Sequence, residues 1–379
     1  MVTKEWPPAI YGGAGVHVLQ LTQALRKIKD IQVDVHCFGG KREDAFGYAT
    51  PAEFNEANPA LQALMTDLEI ASHLGNVDLV HSHTWYANMA GHVASLQHAI
   101  PHIVSAHSLE PLRPWKAEQL GGGYKISSWA EKTSFEAAAA IIAVSDGMRA
   151  DLLAAYPSVD PTKVVTIRNG VDTNKFAANY DSSIPESFGV SGPYAIFVGR
   201  ITRQKGLAHL LRAWKEVPPE YGLVLCAGTP DEQGIGDEVS RLIADLQGTR
   251  NNVWWIKDML PIEKLTAMLT AAELFICPSI YEPLGIVNLE AMGCETAVLG
   301  SRVGGIPEVV SDQETGELVD YHGEAAAFEK ALTEAIARLM AQPELLKKYG
   351  TAGRKRAQNL FDWESVAALT IDLYRRVIA

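Results

Sequence analysis

Two Rossmann-like domains of the α/β class are what the sequence predicts, and three observations carry that expectation. The chain has 379 residues, more than one ordinary core holds, since single cores stop growing near roughly 250 to 300 residues. Short Val- and Ile-rich runs alternate with longer amphipathic segments, the pattern of buried parallel strands joined by crossover helices. The pattern then restarts after residues 172–193, a polar stretch of Asn, Asp, Ser, Pro and Gly without periodicity, as a domain crossing requires.

In chain order, the first domain (residues 1–175) opens on a strand that is cut short, because only Met1 to Lys4 precede Glu5-Trp6-Pro7-Pro8. Gly12-Gly13-Ala14-Gly15 leads into a helix over residues 16–28. Strands follow at residues 33–38, 79–81, 103–106, 141–144 and 164–167, with a helix at 127–139. The second domain (residues 176–362) repeats the scheme, with strands at 194–198, 222–227, 253–256, 274–277 and 297–300. Its helices are expected near 207–215, 237–246, 262–270 and 287–292, with a charged one at 345–359. Residues 363–379 are helical in pattern.

Composition excludes several classes of function. There are 45 acidic and 33 basic residues, a net charge of -12, which argues against a broad surface for nucleic acid or anionic lipid. Any phosphate site must be local. Cys37, Cys226, Cys277 and Cys294 are widely spaced and form no CxxC pair, so buried free thiols are expected. No run approaches the roughly 18 apolar residues of a membrane span, and the N-terminus lacks the charged start and apolar stretch of a signal peptide. A cytoplasmic protein is expected.

Three segments carry candidate chemistry. The Gly12-Gly13 loop opens a helix whose N-terminal amides suit an anion, although a tight turn looks the same in sequence. Gly199-Arg200 follows the first strand of the second domain and precedes Gln204-Lys205-Gly206 at a helix start, placing two cations where open α/β sheets bind ligands; a solvated basic loop is the alternative. The most specific segment is Pro278-Ser279-Ile280-Tyr281-Glu282-Pro283-Leu284-Gly285-Ile286-Val287-Asn288-Leu289-Glu290-Ala291. With a helix beginning near Leu284, Glu282 lies in the loop before it and Glu290 about two turns inside, both along one groove wall. His17, His81, His83 and His107 match no known ligand spacing and no acidic cluster accompanies them, so no metal is expected. His107 directly follows a strand, at the end where catalytic groups collect.

Taken together, P-S-x-Y-E-P-L-G-x-V-x-L-E-A-M, G-R-x-x-x-Q-K-G at Gly199 to Gly206, Asn169-Gly170-Val171-Asp172 and Tyr11-Gly12-Gly13-Ala14-Gly15 resemble family 4 of the retaining GT-B glycosyltransferases, over nearly the whole chain. Within it, Glu5 to Pro8, His107 to Lys116 and Ile256 to Pro261 are most similar to the actinobacterial glycogen synthase type. Mycobacterial members of that type make α-maltose 1-phosphate from ADP-glucose and glucose 1-phosphate. The resemblance implies two domains facing across a cleft, with residues 363–379 packing back on the first.

The resemblance also implies site roles. Arg200 and Lys205 hold the donor diphosphate and neutralise the leaving group; Glu282 binds hydroxyls of the transferred glucose, with backbone amides of Leu284, Gly285 and Ile286. Glu290 holds the ribose, and backbone at Lys257, Met259 and Leu260 meets the base. Gly12 and Gly13 close over the phosphates, and His107 lies beside the sugar. Arg113, Trp115 and Lys116 suit an acceptor, a sugar phosphate or an α-glucan. No metal or other cofactor is implied, and the resemblance leaves room for a homodimer. No nucleophilic carboxylate is evident for double-displacement retention, which favours a front-side reaction. A mannosyl- or sucrose-type transferase, a sugar-nucleotide epimerase and a non-catalytic sugar-nucleotide module are the alternatives; the last is expected to lose Arg200, Lys205 or Glu282, which are all present.

Overall fold

The computed structural model describes residues 1–379 and divides into two compact units: Met1–Gly170 with Trp363–Ala379, and Val171–Asp362. Each is built on one wholly parallel sheet with helical crossovers, the Rossmann-like arrangement.

The first sheet contains β1 (Val2–Thr3), β2 (His36–Phe38), β3 (Phe46–Tyr48), β4 (Val80–His83), β5 (His102–Ala106), β6 (Ala140–Ala143) and β7 (Val164–Thr166), in the order β3-β2-β1-β4-β5-β6-β7. Short as it is, β1 pairs on both sides, with Val2 opposite His36 of β2 and Ser82 of β4. β2 is shorter than its apolar run: ahead of it, Val35 is tied to β3 only through its carbonyl, which accepts from the Phe46 amide at 2.8 Å. Asp34 instead gives its carbonyl to the Met1 ammonium at 2.8 Å. The edge strand β3 was not expected from sequence, since it is only three residues long and runs from the exposed Phe46 to the buried Tyr48. A core of Leu21, Leu25, Ile103 and Ile142 is closed by Trp363, Val366, Ala367, Ile371 and Leu373 of the helix Trp363–Ile378.

The second sheet contains β8 (Tyr194–Val198), β9 (Gly222–Cys226), β10 (Val253–Ile256), β11 (Leu274–Cys277), β12 (Ala297–Ser301) and β13 (Gly316–Val319), in the order β10-β9-β8-β11-β12-β13. Central runs such as Ala195, Ile196 and Phe197 or Leu274, Phe275 and Ile276 are at most 2% exposed, as strands covered on both faces require. The strand order reverses between β8 and β11, so the loops leaving these two strands frame the unit's switch point. No helix is long and apolar enough to cross a membrane.

Candidate active site

The second unit brings its two most specific segments together at that switch point. After β8 the chain runs through Arg200 to a short 3-10 turn, Arg203–Lys205, and Gly206, whose φ is +63°. A Cβ on Gly206 would stand 1.9 Å from the Pro278 carbonyl oxygen. Only glycine lets this loop press against the one leaving β11. The Ile280 amide donates to the Gln204 carbonyl at 2.9 Å, which fixes the two loops side by side. Lys205 Nζ then donates to Glu282 Oε2 at 2.6 Å, and Ser279 Oγ donates to the same oxygen at 3.0 Å.

Burial works against the Lys205 ammonium, yet the Glu282 carboxylate, with Cys277 acting in the same direction, outweighs it and holds the lysine above its usual range. Glu282 is itself buried and held through its backbone: its carbonyl accepts from the Gly305 amide at 3.0 Å, while a Cβ on Gly304 would come within 2.0 Å of that oxygen. Arg200 is turned differently. Its Nη1 donates to both oxygens of Asp231, at 3.0 and 2.9 Å, from a partly exposed position, although its charge still acts on Lys205.

The helix after Glu282 spans Ile286–Gly293, close to the expected 287–292 and two residues later than the start near Leu284 used to place the two carboxylates. Gly285, at φ +95°, is its N-cap, because the chain must turn there against Asn288. Glu290 is consequently little more than one turn inside rather than two. It is half-buried, and desolvation raises its pKa to about 7, opposed by the charge of Lys205. Asn288 was missed by sequence reasoning. Its side chain is wholly buried beside Gly285, and neither its amide nitrogen nor its oxygen has a partner in the protein, a cost that calls for a further partner. Leu284 is buried and Ile286 half-buried at this helix start, while Lys257 and Met259 are exposed and Leu260 half-buried after the edge strand β10. Lys257 Nζ lies 4.2 Å from the Trp255 ring centroid.

In the first unit, the helix Gly13–Leu25 begins at Gly13, three residues earlier than expected, with Gly12 as its N-cap. The reason is Glu5, whose Oε2 accepts from the amides of Tyr11 at 3.0 Å and Gly12 at 2.9 Å. The helix start is drawn so close that a Cβ on Gly15 would lie 2.6 Å from this oxygen. The Gly12 amide, expected to face an anionic ligand, is therefore occupied by the protein's own carboxylate, as is that of Tyr11. Gly13 and Ala14 keep the first orphan amides of the helix.

His107 follows β5, half-buried, with Nε2 3.0 Å from Nδ1 of His83 at the end of β4. His17 packs edge-on against His107, ring centroids 4.7 Å apart. Burial drives all three pKa values down, that of His17 to about 4, so the imidazoles are neutral at pH 7. Their ligating atoms lie within 4.8 Å of one another, a proximity that sequence positions 17, 83 and 107 do not announce. As ligand types they fit a cation such as zinc, but Nδ1 of His83 and Nε2 of His107 are engaged with each other, while Nε2 of His83 and both nitrogens of His17 have no partner. Among the acceptor candidates, Arg113 is bridged to Glu110, whose carboxylate is wholly buried and also accepts from Ser127 Oγ at 2.8 Å. Trp115 and Lys116 are half-buried at the start of the short helix Lys116–Leu120. A cavity of about 350 Å³ at the opposite end of the strands, lined by Met1, Leu79, His81 and Tyr374, holds none of the other candidate residues.

Comparisons with known proteins bear on the family and the fold. Residues 11–175 match the profile described as Glycosyltransferase Family 4, and residues 184–356 the one described as Glycosyl transferases group 1. The α-maltose-1-phosphate synthase of Mycolicibacterium smegmatis is 51% identical over 385 residues, covering 100% of this chain and 99% of that protein; the same enzyme of Mycobacterium tuberculosis is 50% identical with the same coverage. Among solved structures, sucrose-phosphate synthase from Thermosynechococcus elongatus superposes with a TM-score of 0.82 at 24% identity, covering 100% of this chain and 99% of that one.

Proposed function

Because the chain belongs to the family 4 glycosyltransferases and has their GT-B fold, we propose that it is a retaining glucosyltransferase that moves glucose from a nucleotide-glucose, most simply ADP-glucose, to glucose 1-phosphate or an α-glucan, forming an α-1,4 bond. The observation that carries this reading is the Lys205–Glu282 pair at the switch point of the second sheet, with Arg200 acting on it. Cleavage of a nucleotide sugar adds one negative charge to a diphosphate that already carries two, and two cations in a partly dehydrated site stabilise that charge as it develops. No metal is needed for this step. Glu282 then orients hydroxyls of the glucose, Asn288 and the amides at Gly285 and Ile286 add donors, and Glu290 accepts from the ribose.

The product made by the mycobacterial relatives, named in α-maltose-1-phosphate synthase, supports the acceptor. α-Maltose 1-phosphate is two glucose units with a phosphate on the reducing carbon, so one glucosyl transfer onto glucose 1-phosphate forms it. In a front-side reaction the acceptor hydroxyl attacks the anomeric carbon on the face from which the diphosphate leaves, the C–O bond to phosphate breaks, and the departing phosphate oxygen takes the hydroxyl proton. His107, neutral, hydrogen-bonds the transferred sugar; the segment from Arg113 to Lys116 takes the acceptor.

The test is a panel of ADP-, UDP- and GDP-glucose, ADP-glucose's mannose counterpart included, against glucose 1-phosphate, fructose 6-phosphate and malto-oligosaccharides, reading released nucleoside diphosphate. Release with ADP-glucose and glucose 1-phosphate or a glucan is the expected result. Turnover only with a mannosyl donor, or only with a fructose acceptor, contradicts it.

A further inference from the structure

Lys4 is the first residue past β1, and Tyr86 lies in the first turn of the helix Trp85–His98 that follows β4. These two strands are neighbours where the order of the first sheet reverses, so both side chains stand at the ligand-binding end of that unit's own switch point. The Lys4 ammonium lies 3.7 Å from the centroid of the Tyr86 ring and 5.8 Å from that of Tyr11. Aromatic faces steady a cation without neutralising it.

The carboxylate next in sequence, Glu5, is committed to the amides of Tyr11 and Gly12. Lys116 adds a second positive charge that acts on Lys4. Burial and Lys116 together disfavour the charged lysine, with only the field of Glu5 opposing them, so its pKa falls below the usual range. The charges of the two half-buried lysines repel, and an anion within reach of both reverses the sign of that interaction. Arg113 does not serve here, since its guanidinium is bridged to the buried Glu110.

Resting on the function proposed above, we infer that Lys4, with Lys116 as its second cation, recognises the phosphate of a phosphorylated acceptor and so determines preference for a sugar phosphate over a neutral glucan. Arg113 holds the segment that carries Lys116 and makes no phosphate contact of its own.

Steady-state kinetics of full-length Lys4→Gln, Lys4→Arg and Lys116→Gln test this, with ADP-glucose as donor, glucose 1-phosphate and maltotetraose as acceptors and inorganic phosphate as a competing probe. Losing one charge-assisted contact is expected to raise the KM for glucose 1-phosphate and the inhibition constant of inorganic phosphate by about 10-fold or more in Lys4→Gln. The donor KM moves far less, Lys4→Arg recovers most of the loss, and Lys116→Gln shifts the same two constants in the same direction. A rise confined to the donor KM assigns Lys4 to the nucleotide diphosphate and overturns the inference. So does an equal loss with both acceptors in protein that melts normally, or glucose 1-phosphate kinetics that do not change. If the unsubstituted enzyme ignores glucose 1-phosphate, the acceptor reading fails first and the role of Lys4 falls with it, an outcome distinct from the others because it is seen before any substitution.

Discussion

At the scale of single residues, the centre of the account is an ion pair that is buried and therefore fragile. Removing one partner leaves an uncompensated charge, which typically costs about 3 to 5 kcal/mol, so Lys205→Met is expected to lower the melting temperature. The double variant Lys205→Met with Glu282→Gln should regain much of that stability while turnover stays at least about 10²-fold down. A double variant with near-normal turnover contradicts the assignment. Glu290 offers a second check. With its pKa raised to about 7, the carboxylate that accepts ribose hydroxyls forms only as pH climbs through that value; donor KM should fall between pH 6 and pH 8 in the native enzyme and lose this dependence in Glu290→Gln. That Lys205 and Glu282 belong to one site was legible because both lie in tight local motifs next to strand ends; their direct ion pair was not. Asn288, Lys4 and the contact of His17 with His107 were not, since each depends on which distant loop the fold brings alongside.

At the scale of elements, strands buried on both faces announced themselves: β8, β10 and β11 have the bounds their apolar runs suggest. Edges did not. β3 and β13 are short, partly exposed and set by pairing with β2 and β12 rather than by composition. The helix Trp85–His98 was also hidden, because Trp85, Ala87, Asn88, Met89, Ala90, Gly91 and Ala94 are all buried and no polar stripe reveals its period. The helix Gly123–Ala137 carries the buried Glu131, whose Oε1 accepts from Tyr156 Oη at 2.5 Å and from the Glu110 amide at 2.8 Å. Burial, reinforced by Glu110, raises its pKa to about 8. The folded state thus keeps a proton that the unfolded chain has released, and stability should decline as pH rises from about 4.5 to about 8, then level off, by on the order of a few kcal/mol. Chemical denaturation of Glu131→Gln across that range should show a flatter profile; an identical slope in both proteins contradicts the assignment.

At the scale of the whole molecule, two repeats of the same strand and helix alternation were readable from periodicity, while the destination of the last helix was not. That helix completes the core of the first unit, with Ile371 buried at 3% exposure among Leu21, Leu25 and Ile103. Ile371→Ala should therefore destabilise the protein by about 2 to 5 kcal/mol, the usual range for an apolar truncation in a core; a change within experimental error contradicts that packing. The central claim is that Arg200 and Lys205 provide the diphosphate site of a nucleotide-sugar enzyme. Calorimetric titration of ADP into the native protein, Arg200→Met and the Lys205→Met, Glu282→Gln double variant tests it most directly. Saturable binding weakened at least about 10-fold in each variant, as expected for lost charge-assisted contacts, is the predicted result; equal ADP affinity in all three folded proteins would contradict it.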